Sequence, residues 1–429
     1  MYSFSMNGVN IALDVNSGAV HVVDELAFRL INELPVEGYE AAEIAVAQAE
    51  IEELRGKGQL FSASREKAER QAMAGRKAVV KSLCLHIAHA CNLRCRYCFA
   101  GEGDYGGGGL MSAEVGRKAV DFLIENSEGR RNLEIDFFGG EPTLNFDVVK
   151  EIVAYAKFRE KAAGKIFRFT LTTNGLLLDT EKIEYINAEM DNVVLSLDGR
   201  KEVNDRMRPC VGGASAYDMV VPRFLELVEA RGDKSYYVRG TYTHENLDFS
   251  QDVLHMAELG FRNISVEPVV AAAGSPYAIR AEDVPILCAE YEKLAIYLKA
   301  NPRFQFFHFM IDLQNGPCVA KRITGCGAGT EYLAVTPEGD LYPCHQFVGV
   351  DSGKFYLGSL ETGVTADTAA FSMCNVYSKP ECRGCFARYF CSGGCMASSY
   401  SLGGDIRLPD EVFCQLQRKR LECGLYLLS

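Results

Sequence analysis

The stretch VVKSLCLHIAHACNLRCRYC, residues 79–98, decides the fold. Its first eight residues are apolar enough to predict a buried strand, and that strand runs into a loop spaced Cys91-x3-Cys95-x2-Cys98. Three thiolates on one short loop can hold three irons of a 4Fe-4S cube. With no fourth cysteine at hand, one iron keeps an open coordination position. Zinc is the competing occupant, because a loop of cysteines joined by one remote ligand also closes a tetrahedral site.

Outward from this loop the same alternation repeats. Strands are expected at 79–86, 133–138, 167–172, 193–197, 236–243 and 264–270, each followed by a segment able to form a helix. Six βα units in a row imply a parallel sheet with right-handed crossovers, and in such a barrel chemistry gathers at the C-terminal strand ends. Three motifs fall there: Gly139-Gly140-Glu141, Thr173-Asn174-Gly175 and Ser196-Leu197-Asp198-Gly199, with Arg208 twelve residues beyond Ser196. The two glycines would let a ligand approach the backbone, and Glu141 could receive an ammonium.

The flanks differ from this middle. Residues 1–77 read as a module of hairpin and two helices with a linker: alternation through Leu13 and Val15, a turn at Asn16-Ser17-Gly18, a return over 19–23, then apolar periodicity from Leu26. The region from 311 onward is rich in cysteine, glycine and turns, and little regular secondary structure is expected in it. Bound inorganic clusters are then the plausible source of its order. It carries Cys326, Gly339, Cys344, the run Cys382-x2-Cys385-x5-Cys391-x3-Cys395, and Cys414.

Composition narrows the classes. The 429 residues suit about three domains at roughly 150 residues each. A net charge of -12 opposes a phosphate backbone, so nucleic acid is not an expected partner. No apolar run approaches the ~18 residues of a membrane helix, and the opening residues lack a signal-peptide layout, so a cytoplasmic location is expected. Sixteen cysteines in a reducing compartment favour metal or iron-sulfur ligation over disulfides. Cys84, Cys210, Cys288, Cys374 and Cys423 lack a partner pattern and read as ordinary small buried residues.

The cysteine loop, with Tyr97 before its last thiol, resembles the signature of radical S-adenosylmethionine (AdoMet) enzymes. The resemblance implies an α/β fold with a partial (β/α)6 TIM-like barrel over 78–310, a cluster on Cys91, Cys95 and Cys98, and AdoMet chelating the open iron. It also implies that Tyr97 and the Gly139-Gly140-Glu141 motif belong to the cofactor site. Ser196 and Arg208 would contact the AdoMet carboxylate, and Thr173 or Asn174 the ribose or amino-acid portion. The seven later cysteines resemble the SPASM extension of that family, over 311–429. By that likeness auxiliary cluster I takes Cys326, Cys344 and Cys395, its fourth position falling to Cys318 or a substrate thiolate. Auxiliary cluster II takes Cys382, Cys385, Cys391 and Cys414, giving three 4Fe-4S clusters in all; a zinc ribbon is the alternative for these pairs.

Residues 1–77 resemble the winged-helix-like module with which peptide-modifying enzymes hold a precursor. Over its whole length the chain is similar to maturases of SCIFF ("six cysteines in forty-five residues") peptides. That likeness implies a thioether between a peptide cysteine and the α-carbon of another residue, usually Thr, with a cysteine-rich precursor peptide and an electron donor such as ferredoxin or flavodoxin as partners. Sulfatase-maturing relatives place an Asp base directly after the second SPASM cysteine, where this chain has His345, so Ser or Cys oxidation is disfavoured and His345 is a candidate catalytic residue. Carbon-carbon or side-chain thioether links, and a noncatalytic zinc-structured peptide-binding protein, remain the alternatives.

Overall fold

The computed structural model describes residues 1–272, 274–313 and 318–429. The chain opens with an antiparallel sheet of β1 (Tyr2–Met6), β2 (Val9–Leu13) and β3 (Val20–Val23). One hairpin was expected here, and the structure has two. Asn7 (φ 47°) and Gly8 (φ 77°) both take left-handed backbone, so Met6 and Val9 pair across a two-residue turn of the Asn-Gly kind. Asp24 then caps the helix Glu25–Ile31 by accepting from the Ala27 N–H at 2.7 Å, and a second helix spans Ala41–Gly56. Met6, Ile11, Leu13 and Val15 are buried in the same apolar core as the barrel, so this module is fused to the rest by packing.

The larger sheet has twelve strands: β4 (Ser82–His89), β5 (Gly109–Leu110), β6 (Asn132–Gly139), β7 (Ile166–Thr173), β8 (Asn192–Ser196), β9 (Ser235–Tyr242), β10 (Asn263–Pro268), β11 (Gln305–Phe306), β12 (Tyr332–Val335), β13 (Asp340–Tyr342), β14 (Gly358–Ser359) and β15 (Gly363–Val364). The six expected strands are all present, in the order β10-β9-β8-β7-β6-β4, each pairing parallel with the next. The fold is α/β, a partial barrel of the expected kind.

The two faces of this sheet differ in chemistry. Leu83, Leu85, Ile135, Phe137, Phe169, Leu171, Leu195 and Val238 alternate on the outer face and are wholly buried against helices such as Ala113–Asn126 and Phe146–Ala163. The inner face carries Cys84, His86, Asp136, Thr170, Ser196, Arg239 and Glu267, which register places side by side: Cys84 opposite Asp136, Asp136 opposite Thr170, Ser196 opposite Arg239. A TIM barrel fills its interior with branched apolar layers. This one is lined with polar groups, which makes its interior a chamber.

The C-terminal region is more regular than expected. β12 pairs parallel with β4, Tyr332 opposite Ser82 through Val335 opposite Leu85, and β13 to β15 extend the sheet antiparallel. An 18-residue helix, Glu411–Leu428, buries Leu416, Leu421, Leu425 and Tyr426 in the main core. Its apolar spacing is masked in sequence by the charged run from Arg418 to Arg420. The linker helix Glu66–Ala74 lies on this region: Arg70 Nη2 donates to the Tyr377 carbonyl at 2.9 Å, and Glu66 pairs with Arg383 at 2.9 Å. Among the described residues no helix is long and apolar enough to cross a membrane.

Candidate active site

The loop after β4 brings Cys91, Cys95 and Cys98 to the wall of one cavity at the C-terminal ends of β4, β6, β7 and β8. Backbone bonds hold it there: Arg94 N–H donates to the Pro209 carbonyl at 3.0 Å and Arg96 N–H to the Met207 carbonyl at 2.9 Å. Burial raises the pKa of all three thiols, that of Cys95 to about 12; Cys98 adds to the rise at Cys91, and both Cys98 and Cys91 add to it at Cys95. Such thiols ionise at neutral pH only when a cation takes them, and three thiolates on one rim suit an iron cube better than a proton.

Gly139, Gly140 and Glu141 of the Gly-Gly-Glu motif line the same cavity and also serve the packing around it. A Cβ on Gly139 would stand 2.3 Å from the Ala88 carbonyl oxygen, and one on Gly140 2.2 Å from that of Ala90 and 2.3 Å from that of Gly103. The glycines let the end of β6 press against the cysteine loop, backbone on backbone. Glu141 is 1% exposed and wholly engaged: Oε1 accepts from Thr143 N–H (3.0 Å), Thr143 Oγ1 (2.6 Å) and Thr173 Oγ1 (2.8 Å), Oε2 from Asn174 N–H (2.7 Å). Its carboxyl group ties β6 to β7. The Thr173 hydroxyl is thereby occupied, while Asn174 Nδ2 donates to Asn92 Oδ1 at 2.8 Å and lies 3.7 Å from Cys91 Sγ.

Ser196 and Arg208 line the same cavity. Arg208 is held by Asp198, its Nε 3.0 Å from Oδ1, with its guanidinium 5.7 Å from the Tyr97 ring. The Tyr97 hydroxyl donates to both Asp198 oxygens, at 2.9 and 2.7 Å, and the Thr241 N–H to Oδ1 at 3.0 Å. Asp198, fully buried, joins the cysteine loop, the end of β8 and β9. Sequence reading quoted it without a role; the available signal was a carboxylate at a strand end and a tyrosine inside the cysteine loop.

His345 stands between the two cysteine regions. Its Nδ1 is 3.3 Å from the Tyr332 hydroxyl, its ring 4.8 Å from Phe138 and 5.7 Å from Phe99, and burial lowers its pKa to about 4. Beyond it Cys326, Cys344 and Cys395 form one electrostatic group, each of Cys326 and Cys344 raised first by burial and then by Cys395. Cys382, Cys385, Cys391 and Cys414 line a second large cavity, and burial holds Cys382, Cys391 and Cys414 at about 11. Lys379 is buried beside them at 1% exposure. Its Nζ donates to the Gly393 carbonyl at 2.7 Å, and its charge is felt by Asp405 and by the Cys374, Cys382 and Cys391 thiols. Metal-bound thiolates would add to that counter-charge. Cys318 stands exposed at the start of the helix Val319–Thr324, next to residues 314–317 outside the described set. Cys84, Cys374 and Cys423 are buried, Cys210 and Cys288 half-buried.

Asp136, on the chamber face, gives a pH prediction. Burial and Glu134 lift its carboxyl from an ordinary 3.8 to about 7, against a hydrogen bond from Thr170. The folded state therefore favours the neutral acid. Its contribution is full below about 4 and is lost as pH rises through 7, by at most about 1.4 kcal/mol per pH unit. Asp136→Asn is expected to remove this slope: urea unfolding at pH 4.5 and 8 should show the variant gaining stability relative to wild type at the higher pH.

Residues 85–238 match the Radical SAM superfamily. The chain carries a radical SAM domain, set in the partial barrel that this superfamily uses. It is 26% identical over 343 residues to mycofactocin maturase MftC of Mycobacterium ulcerans, covering 76% of this chain and 86% of the relative. The fold is similar to anSMEcpe, solved with bound AdoMet (TM-score 0.66, 20% identity, 80% of this chain and 96% of that one). It is also similar to Streptococcus suis SuiB, solved with S-adenosylmethionine (TM-score 0.57, 16% identity, 94% and 96%).

Proposed function

We propose that the protein is a radical AdoMet peptide maturase that forms a thioether between a cysteine sulfur and the α-carbon of another residue, Thr by resemblance, in a cysteine-rich precursor peptide. The observation that carries the reading is the single cavity in which three half-buried thiols of one loop meet Ser196 and Arg208 at the strand ends. Cys91, Cys95 and Cys98 would hold a 4Fe-4S cluster. Ser196 and Arg208 would face the AdoMet carboxylate, while Asp198 holds Arg208 in place and Glu141 fixes the backbone of Asn174. When bound, the cluster and AdoMet supply a carbon radical able to take a hydrogen atom from the substrate.

The chain's own residues provide the rest. With substrate bound, the cavity would limit water near a reactive carbon, and Phe99 and Phe138, packed near His345, would form part of its wall. Cys326, Cys344 and Cys395 would hold a first auxiliary cluster whose remaining position falls to Cys318 or to the substrate thiol. A thiol so bound is deprotonated and positioned for bond formation. Cys382, Cys385, Cys391 and Cys414, with Lys379 behind them, would hold the second cluster, on the route to a ferredoxin or flavodoxin. Residues 1–77 would hold the leader of the peptide. The likeness to a named maturase supports peptide modification, and the cysteine-rich C-terminal region supports sulfur chemistry. Anaerobic reconstitution should give roughly twelve irons per chain, four for each cube. Dithionite should release deoxyadenosine, and a cysteine-rich peptide should lose two hydrogens at a Cys-to-α-carbon link in fragment spectra. Zinc in place of iron, with AdoMet left intact, refutes the reading.

A further inference from the structure

Beyond the strand ends of β9 and β10 the chamber holds charge that the function above does not use. Arg239 lies on the inner face of β9, directly opposite Ser196 of the AdoMet cavity, and its side chain is half exposed. Its nearest carboxylate is Glu267 of β10, with Nη2 3.9 Å from Oε1, too far for a hydrogen bond. Behind Glu267 stands Arg420 of the helix Glu411–Leu428, only 5% exposed. Its Nε donates to the Tyr291 hydroxyl at 2.8 Å, Nη1 stands 3.7 Å from Glu267 Oε2, and Nη2 is buried without a partner. His308, 3.5 Å from Glu267, is kept neutral because burial and Arg420 both oppose its protonation.

Two guanidiniums thus face one carboxylate, Arg420 from the buried side and Arg239 from the side open to solvent. Both Arg239 and Arg420 line the cavity that runs on to the four cysteines, where Glu381 and Asp410 are matched in number by Arg388 and Arg418. The excess positive charge is at the barrel end. A guanidinium at a cavity mouth with no hydrogen-bonded carboxylate, backed by a second buried one, favours a planar anion, since a neutral amide gives it neither charge nor paired acceptors. Sterically the position is apt: one strand from Ser196, it borders the place where the proposed radical would arise.

We propose that Arg239, backed by Arg420, is a carboxylate subsite that selects peptides bearing an acidic group close to the residue being modified. This deepens the proposed function and rests on it for the identity of the chamber's occupant. The carboxylate could belong to a Glu or Asp side chain or to the peptide's own C-terminus.

The test uses reconstituted holoenzyme with AdoMet and no reductant, titrated with capped pentapeptides containing one cysteine. One pair carries Glu or Gln two positions after the cysteine; a second, neutral pair ends in a free carboxyl or an amide. At least tenfold tighter binding is expected for the carboxylate member of one pair, and which pair discriminates identifies the source. Arg239→Gln should reduce that preference below twofold, and Arg239→Lys should restore part of it; being half exposed, the position tolerates both. Equal binding within both pairs, binding too weak to measure for all four, or a preference that survives Arg239→Gln overturns the subsite. Iron content and reductive AdoMet cleavage by the wild type, measured alongside without peptide, fail only if the proposed function itself is wrong.

Discussion

Cys95→Ala is expected to lower bound iron by roughly four atoms per chain and to reduce deoxyadenosine formation to background, with the other clusters intact. The loop has no spare thiol to take its place: Cys91 and Cys98 are its two neighbours, and Asn92, Arg94 and Arg96 offer no soft ligand. Burial raises the Cys95 pKa to about 12 while Arg208 favours its ionisation, so in the proposed cluster the metal and Arg208 would act together to hold a thiolate there. Iron analysis, electron paramagnetic resonance and chromatography of the nucleoside product check the three parts separately. Iron and cleavage at wild-type levels would remove Cys95 from the ligand set.

Asp198→Ala should destabilise the fold by about 3 to 5 kcal/mol, because it leaves the buried Arg208 cation without its carboxylate and Tyr97 without its acceptor. Tyr97→Phe removes only one hydrogen bond from the same knot and should lose about 1 kcal/mol. Denaturant unfolding of the cluster-free chain measures both. A smaller loss for Asp198→Ala than for Tyr97→Phe would contradict the ranking. In the loaded protein Asp198 is a positioning residue, and AdoMet affinity should fall with Asp198→Ala more steeply than with Tyr97→Phe.

How legible these features were depends on what each residue answers to. The barrel strands were read within a few residues of their ends because their outer-face apolar side chains form runs that local periodicity detects. The cysteine motifs were legible because ligand spacing is itself local. The Asn7-Gly8 turn was also local and went unread beside the longer turn at 16–18. Other features needed the assembled fold. β12 is a strand because β4 lies free beside it, and its four residues carry no periodic signal of their own. Arg239, Lys379, Asp198 and Arg420 look in sequence like charges of solvated faces. Arg420 in particular sits in the run Arg418-Lys419-Arg420, and only the packing of its helix turns one of those three inward. The partners that Gly139 and Glu141 find in the Ala88 backbone and in Thr173 also lie on other strands and could not be read locally.

The helix Glu411–Leu428 sets an order on assembly. It is about 27 Å long, carries Cys414 near its start, and near its end meets the first strand of the chain: Tyr2 donates to Glu422, Asn7 Nδ2 donates to Tyr426 at 3.0 Å, and Tyr2 stacks on Phe386. Strand β1 pairs locally with β2, but the contacts of Tyr2 and Asn7 with this helix join residues some four hundred positions apart. Closing so long a loop is slow, so the small antiparallel sheet can pair its strands early but keeps one side unfinished until this helix docks.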